Sequence, residues 1–184
     1  MLFNSIQFLV FFPIVVLIYF LIPKKVRYIW LLLASYYFYM GWNAKYALLL
    51  LFSTVVTYIS GIVLGRIKES EVEAAVKKRR MNICVATSFA INLGVLFWFK
   101  YFDFAVDNIN YVLAKFNLTI LNPSFDIILP VGISFFTFQA LSYTMDVYRG
   151  DIKAERNFLK YALFVSFFPQ LVAGPIERSS NLLP

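Results

Sequence analysis

Apolar residues fall along the chain in long unbroken runs, each closed by a short polar or charged stretch. That segregation is the pattern of membrane-crossing helices and their loops, whereas a helix of a soluble core shows an apolar stripe on a polar surface. The first run extends from Ile6 to Ile22 and carries Pro13 in its middle, which predicts a kinked helix. No Lys or Arg precedes it and no small-x-small cleavage pattern follows, so it reads as a retained span rather than a signal peptide. Further runs extend from Tyr28 to Met40, from about Tyr46 to Leu64 and from about Met81 to Phe99. The Tyr36-Tyr37-Phe38-Tyr39 cluster and Trp42 suit a membrane–water interface. A fifth run goes from Ile127 to about Tyr148, and a last apolar stretch, Phe158 to Ala173, is broken by Pro169 and closed by Gly174-Pro175. The pattern predicts an all-α, polytopic membrane bundle of about five spans. It forms a single domain over 1–184 that ends in a broken or re-entrant helix.

The polar stretches set the sides. Residues 65–80 hold six Lys or Arg and three Glu and read as a charged cytoplasmic loop, with a short surface helix as the alternative. In 100–126, Asp103, Asp107, Asn108 and Asn110 interrupt aromatics and aliphatics, which predicts an interfacial segment on the extracytoplasmic side. With the N-terminus outside and one crossing per run, thirteen Lys or Arg fall on inner loops. Three, Lys45, Lys100 and Lys115, fall outside. That bias favours a multi-pass protein of the cell (inner) membrane with an extracytoplasmic N-terminus.

Composition changes the picture in two places. Of 184 residues, 61% are hydrophobic and 15% charged, so the net charge of +7 belongs to membrane orientation and no nucleic-acid partner is expected. Histidine is absent, which removes the commonest general base and metal ligand; no metal site is expected and no catalytic residue is assigned.

Three features go beyond hydrophobicity. Ser53, Thr57, Gly61 and Gly65 recur every four residues and predict a close helix–helix approach. Gly132, Gln139 and Asp146 are spaced by seven, flanked by Ser142 and Tyr143, and form a polar stripe on one helix face. Such a stripe belongs in a bundle interior or a wet cavity, and Asp146 and Arg149 are close enough in sequence to pair. Finally, Pro169, Gly174 and Pro175 cannot continue a regular helix, and Glu177 and Arg178 lie at the polar end of that stretch. These residues are candidates for a channel or substrate path. A transporter or channel subunit, or a structural subunit of a multi-chain bundle, would use the same features.

The stretch Leu129-Pro130-Val131-Gly132-Ile133-Ser134-Phe135-Phe136-Thr137-Phe138-Gln139, running on to Asp146-Val147-Tyr148-Arg149-Gly150, resembles the membrane-bound O-acyltransferase family. So do Phe167-Phe168-Pro169, Ala173-Gly174-Pro175-Ile176-Glu177-Arg178 and the opening Met1-Leu2-Phe3-Asn4-Ser5, and the branch they resemble is that of alginate O-acetylation. The resemblance implies the N-terminal part of a ring of helices around a funnel. It also implies transfer of an acyl group, typically acetyl from acetyl-CoA, from the cytoplasm towards an extracytoplasmic polysaccharide such as alginate. An extracytoplasmic acetyltransferase partner is implied with it, and no bound cofactor. Family members are longer than this chain and carry their essential histidine in the later half, so the fragment alone is expected to be inactive.

Overall fold

A computed structural model describes residues 5–41, 43–116, 118, 130 and 132–173. Among these residues every regular element is helical: α1 (Ile6–Leu21), a 3-10 turn (Lys24–Val26), α2 (Arg27–Met40), α3 (Ala44–Glu69), α4 (Ala74–Lys100), α5 (Phe102–Lys115), α6 (Ile133–Arg149), α7 (Phe158–Ser166) and α8 (Phe168–Ala173). The chain is a helical membrane protein. With no water in a bilayer core to satisfy the backbone, apolar runs of this kind close their hydrogen bonds internally. Among the described residues two helices, α3 and α4, are long and apolar enough to cross a membrane. The helices α1, α2 and α6, of 16, 14 and 17 residues, are shorter than the ~20 residues that span a typical hydrocarbon core.

Local signals fix the ends. Ser5 caps α1, its Oγ accepting from the Phe8 amide at 3.2 Å, and α1 remains one helix across Pro13. At its other end Arg27 donates from Nε to the Ile22 carbonyl at 3.2 Å and lays its guanidinium 4.8 Å above the Tyr19 ring. A cation placed there answers both the unpaired carbonyls and the negative end of the helix dipole. Asn43 caps α3 by accepting from the Lys45 amide at 3.0 Å.

The charged stretch 65–80, expected as a loop, is helical except around 70–73: α3 continues through Glu69 and α4 starts at Ala74. The turn is closed by Ser70, whose amide and Oγ both donate to the Ile67 carbonyl, and by Lys77, whose Nζ reaches the Ser70 carbonyl at 3.1 Å. Ala, Lys and Arg are good helix formers, so the apolar period can end without the helix ending.

Helix α3 is the hub and packs against α2, α4, α6 and α7. Its buried residues, among them Leu50, Ser53, Thr57, Gly61 and Leu64, follow helical spacing. By contrast α4 buries a single stripe, Ser88, Asn92 and Leu96, and α1 buries only Val15. In water such exposed apolar faces would be an aggregation surface; in a bilayer they are the face presented to lipid. Amphipathic α5 buries no residue and follows α4 directly, within the segment expected to be interfacial.

Candidate functional site at the α6–α7–α8 junction

The last apolar stretch breaks at Phe167, two residues before the proline that predicts the break. The offset has a simple cause. Pro169 is the second residue of α8, and a first-turn position needs no amide donor, so the ring is accommodated there rather than at the discontinuity.

A continuous helix would join the Phe168 amide to the Phe164 carbonyl. Here both groups are answered by side chains from other helices. The Phe168 amide donates to Ser35 Oγ on α2 at 3.3 Å. The Phe164 carbonyl accepts from Gln139 Nε2 on α6 at 2.7 Å, and the same nitrogen lies 3.1 Å from Gln170 Oε1. Ser35 and Gln139 are both buried. Leaving a buried backbone group unmade costs about 1–3 kcal/mol, so these two side chains decide where the helix can break.

The α6 stripe is framed by glycines in the left-handed region, Gly132 (φ 76°) before it and Gly150 (φ 94°) after it. Gly150 closes the helix with its amide on the Asp146 carbonyl, and the Asp151 amide reaches the same oxygen. Ser142 donates back to the Gln139 carbonyl at 2.9 Å. Tyr143 is buried; its hydroxyl accepts the Glu155 amide at 3.0 Å, and its ring lies 4.4 Å from that of Tyr161.

Tyr161 in turn donates to Thr57 Oγ1 at 2.7 Å, and Ser53, one turn earlier on α3, donates to Asn92 Oδ1 on α4 at 2.6 Å. The small-residue stripe of α3 therefore meets four partners: Asn92 at Ser53, Tyr161 at Thr57, Tyr143 at Gly61 and Ala154 at Gly65.

Of the candidate residues, the fold brings Gln139 and the Pro169 break together and sets Tyr143 one turn below them. Gly132 serves as a cap, Ser142 binds its own helix, and Asp146 is half-buried near the end of α6. Arg149 is exposed and forms no ion pair among the described residues, so the pair with Asp146 is not made. Arg149, the last helical residue, is exposed, whereas Asp146 lies one turn inside the helix and is half-buried. Gly174, Pro175, Glu177 and Arg178 lie outside the described residues. A groove of about 980 Å³ opens elsewhere, between α1 and α2, lined by Phe11, Val15, Trp30, Ala34 and other apolar residues and by none of the candidates.

Ser35, Asn92 and Tyr161 were missed from the sequence. Asn92 had a readable signal, since an amide in the middle of an apolar run needs a partner. Ser35 and Tyr161 had none. Among the described residues no carboxylate is fully buried and no three His, Cys, Asp or Glu side chains gather as a metal site. The junction offers hydroxyls, amides and aromatic faces, which hold and position rather than exchange protons.

No family model matches the chain, and no solved structure matches it. All of it aligns, at 38% identity, with 34% of the "Probable alginate O-acetylase AlgI" of Pseudomonas aeruginosa. It likewise aligns at 37% identity with 35% of the protein of the same description from Azotobacter vinelandii. The chain is similar over its full length to proteins described as probable alginate O-acetylases. A "Peptidoglycan O-acetyltransferase" of Helicobacter pylori also aligns with all of the chain, at 34% identity over 38% of its own length. The chain thus spans about a third of the length of these relatives, matching their N-terminal part.

Proposed function

We propose that this chain is the N-terminal part of a membrane-bound O-acetyltransferase that passes an acetyl group towards an extracytoplasmic polysaccharide. The observation that carries the reading is similarity over the whole chain to O-acetylases described for two different polymers, alginate and peptidoglycan. The donor is acetyl-CoA or another acyl donor on the cytoplasmic side, and an extracytoplasmic acetyltransferase hands the group to the polymer. The reading has about five crossings, the N-terminus outside and the basic ends of α3 and α4 in the cytoplasm. In this scheme the α6–α7–α8 junction is part of the protein's frame, fixing the helix break against α2 and α6. The histidine that the resemblance implies for proton transfer belongs to a part of the protein this chain does not cover.

Deleting the gene and measuring ester-linked acetate on extracellular polysaccharide and on peptidoglycan tests the activity and separates the two acceptors. Unchanged acetate on both, with the deletion verified, would remove the proposal. A reporter fused after Arg80 tests the topology, and an extracytoplasmic signal would reverse it.

A further inference from the structure

We propose that the paired ends of α3 and α4 form a site for the headgroups of anionic phospholipids. The apolar part of α4 runs from Met81 to Phe99, and Lys77, Lys78, Arg79 and Arg80 precede it without a gap on the same helix. At a rise of ~1.5 Å per residue these four cations lie within about 6 Å of the apolar boundary. That is the depth of the polar layer, roughly 5–8 Å on each side of a ~30 Å core. Successive residues turn by about 100°, so the four side chains fan around most of the helix circumference instead of converging on one point.

Arg66 and Lys68, just past the last buried apolar residue of α3, Leu64, reach the same depth from the neighbouring helix. Among the cations at this end, Lys77 is held on the Ser70 carbonyl, Arg156 faces Glu69 at 3.8 Å, and Lys68 Nζ sits against Gly150. Arg66, Lys78, Arg79 and Arg80 are exposed and make no hydrogen bond or ion pair among the described residues. Glu71 and Glu73 belong to the turn, beyond the cations and farther from the membrane. A soluble polyanion needs converging donors. Cations spread around two helix ends at one depth fit a layer of lipid phosphates, each adding on the order of fivefold to apparent affinity.

The test uses the full-length protein in detergent, following thermal unfolding as phosphatidylglycerol or phosphatidylcholine is added. Phosphatidylglycerol should raise the midpoint more than phosphatidylcholine. The R66Q/K78Q/R79Q/R80Q variant should lose that preference, with an apparent affinity at least on the order of tenfold weaker. The charge-preserving R66K/R79K/R80K variant should keep it, as should K100Q/K115Q at the far end. Should the fourfold variant fail to fold, R79Q/R80Q read by lipid retention in native mass spectrometry gives the same comparison. Equal response to the two lipids, or a preference that survives neutralisation, overturns the proposal. Stabilisation by millimolar pyrophosphate equal to that by phosphatidylglycerol also overturns it, assigning the cations to a soluble phosphate ligand instead.

Discussion

A methyl group placed on Gly61 would lie 2.7 Å from Tyr143 Cε1, 2.8 Å from its hydroxyl oxygen and 3.1 Å from Cζ. Carbon atoms in contact prefer about 3.5–4.0 Å, so Gly61→Ala asks the ring or the helix to move by roughly an ångström. The ring has little room: Tyr143 is 0% exposed, is backed by Tyr161 with centroids 4.4 Å apart, and is tied by its hydroxyl to the Glu155 amide. Overpacking of this kind costs about 1–3 kcal/mol. The alanine returns up to about 1 kcal/mol of helix propensity, which leaves a net loss of up to about 2 kcal/mol when that return is full.

Unfolding of the purified protein by titrated denaturing detergent measures the loss, and a double-mutant cycle assigns it. With Tyr143→Leu the ring is gone, so adding Gly61→Ala to that background should cost nothing or stabilise slightly. Gly94 on α4 has no atom within 4 Å of its would-be methyl, and Gly94→Ala should be neutral or stabilising by up to about 1 kcal/mol. An equal cost for Gly61→Ala in both backgrounds, or none with Tyr143 intact, would mean that the α3–α6 seam is not packed as described.

Gln139→Leu strips the Phe164 carbonyl of its donor and should cost about 1–3 kcal/mol in the same assay, whereas Pro169→Ala should cost less than about 1 kcal/mol because the first turn of α8 needs no proline. A larger loss from the proline than from the glutamine would place the cause of the break at Pro169 itself. Asn92→Leu and Ser53→Ala, each expected to cost about 0.5–1.5 kcal/mol, share one hydrogen bond, so the double variant should cost distinctly less than their sum; strict additivity would separate them. Gly150→Ala forces a methyl into the left-handed region at φ 94° and against Lys68 Nζ at 3.1 Å, with a loss of about 1–2 kcal/mol. Gly150→Asn should lose less of its stability than the alanine variant, and equal losses would point to crowding by Lys68 rather than to the backbone.

The long elements were legible because an apolar run bounded by Pro, Gly or charge has one way to satisfy its backbone inside a membrane. Expected starts and ends at Ile6, Tyr28, Tyr46 and Tyr148 fall within a few residues of the helices formed. Hydrophobicity fails as a guide where the chain leaves the apolar layer. Residues 65–69 and 74–80 are helical although they are charged, because propensity and a neighbouring helix carry the structure past the end of the period. The Gln139 stripe was visible as buried polarity, but not its partner: the Phe164 carbonyl, 25 residues away, becomes an acceptor only when the last helix breaks.

The same dependence bears on what the junction can do. Gln139 can turn its amide nitrogen to another ligand only by releasing the Phe164 carbonyl or Gln170, and Tyr143 can move only by disturbing Gly61, Tyr161 and the Glu155 amide. A substrate contact made through the Gln139 amide nitrogen would therefore be coupled to the α7–α8 break. Gln139 variants of an active full-length enzyme would then lose stability and turnover together. Turnover lost at unchanged stability would instead assign Gln139 a direct contact with substrate and remove it from the frame.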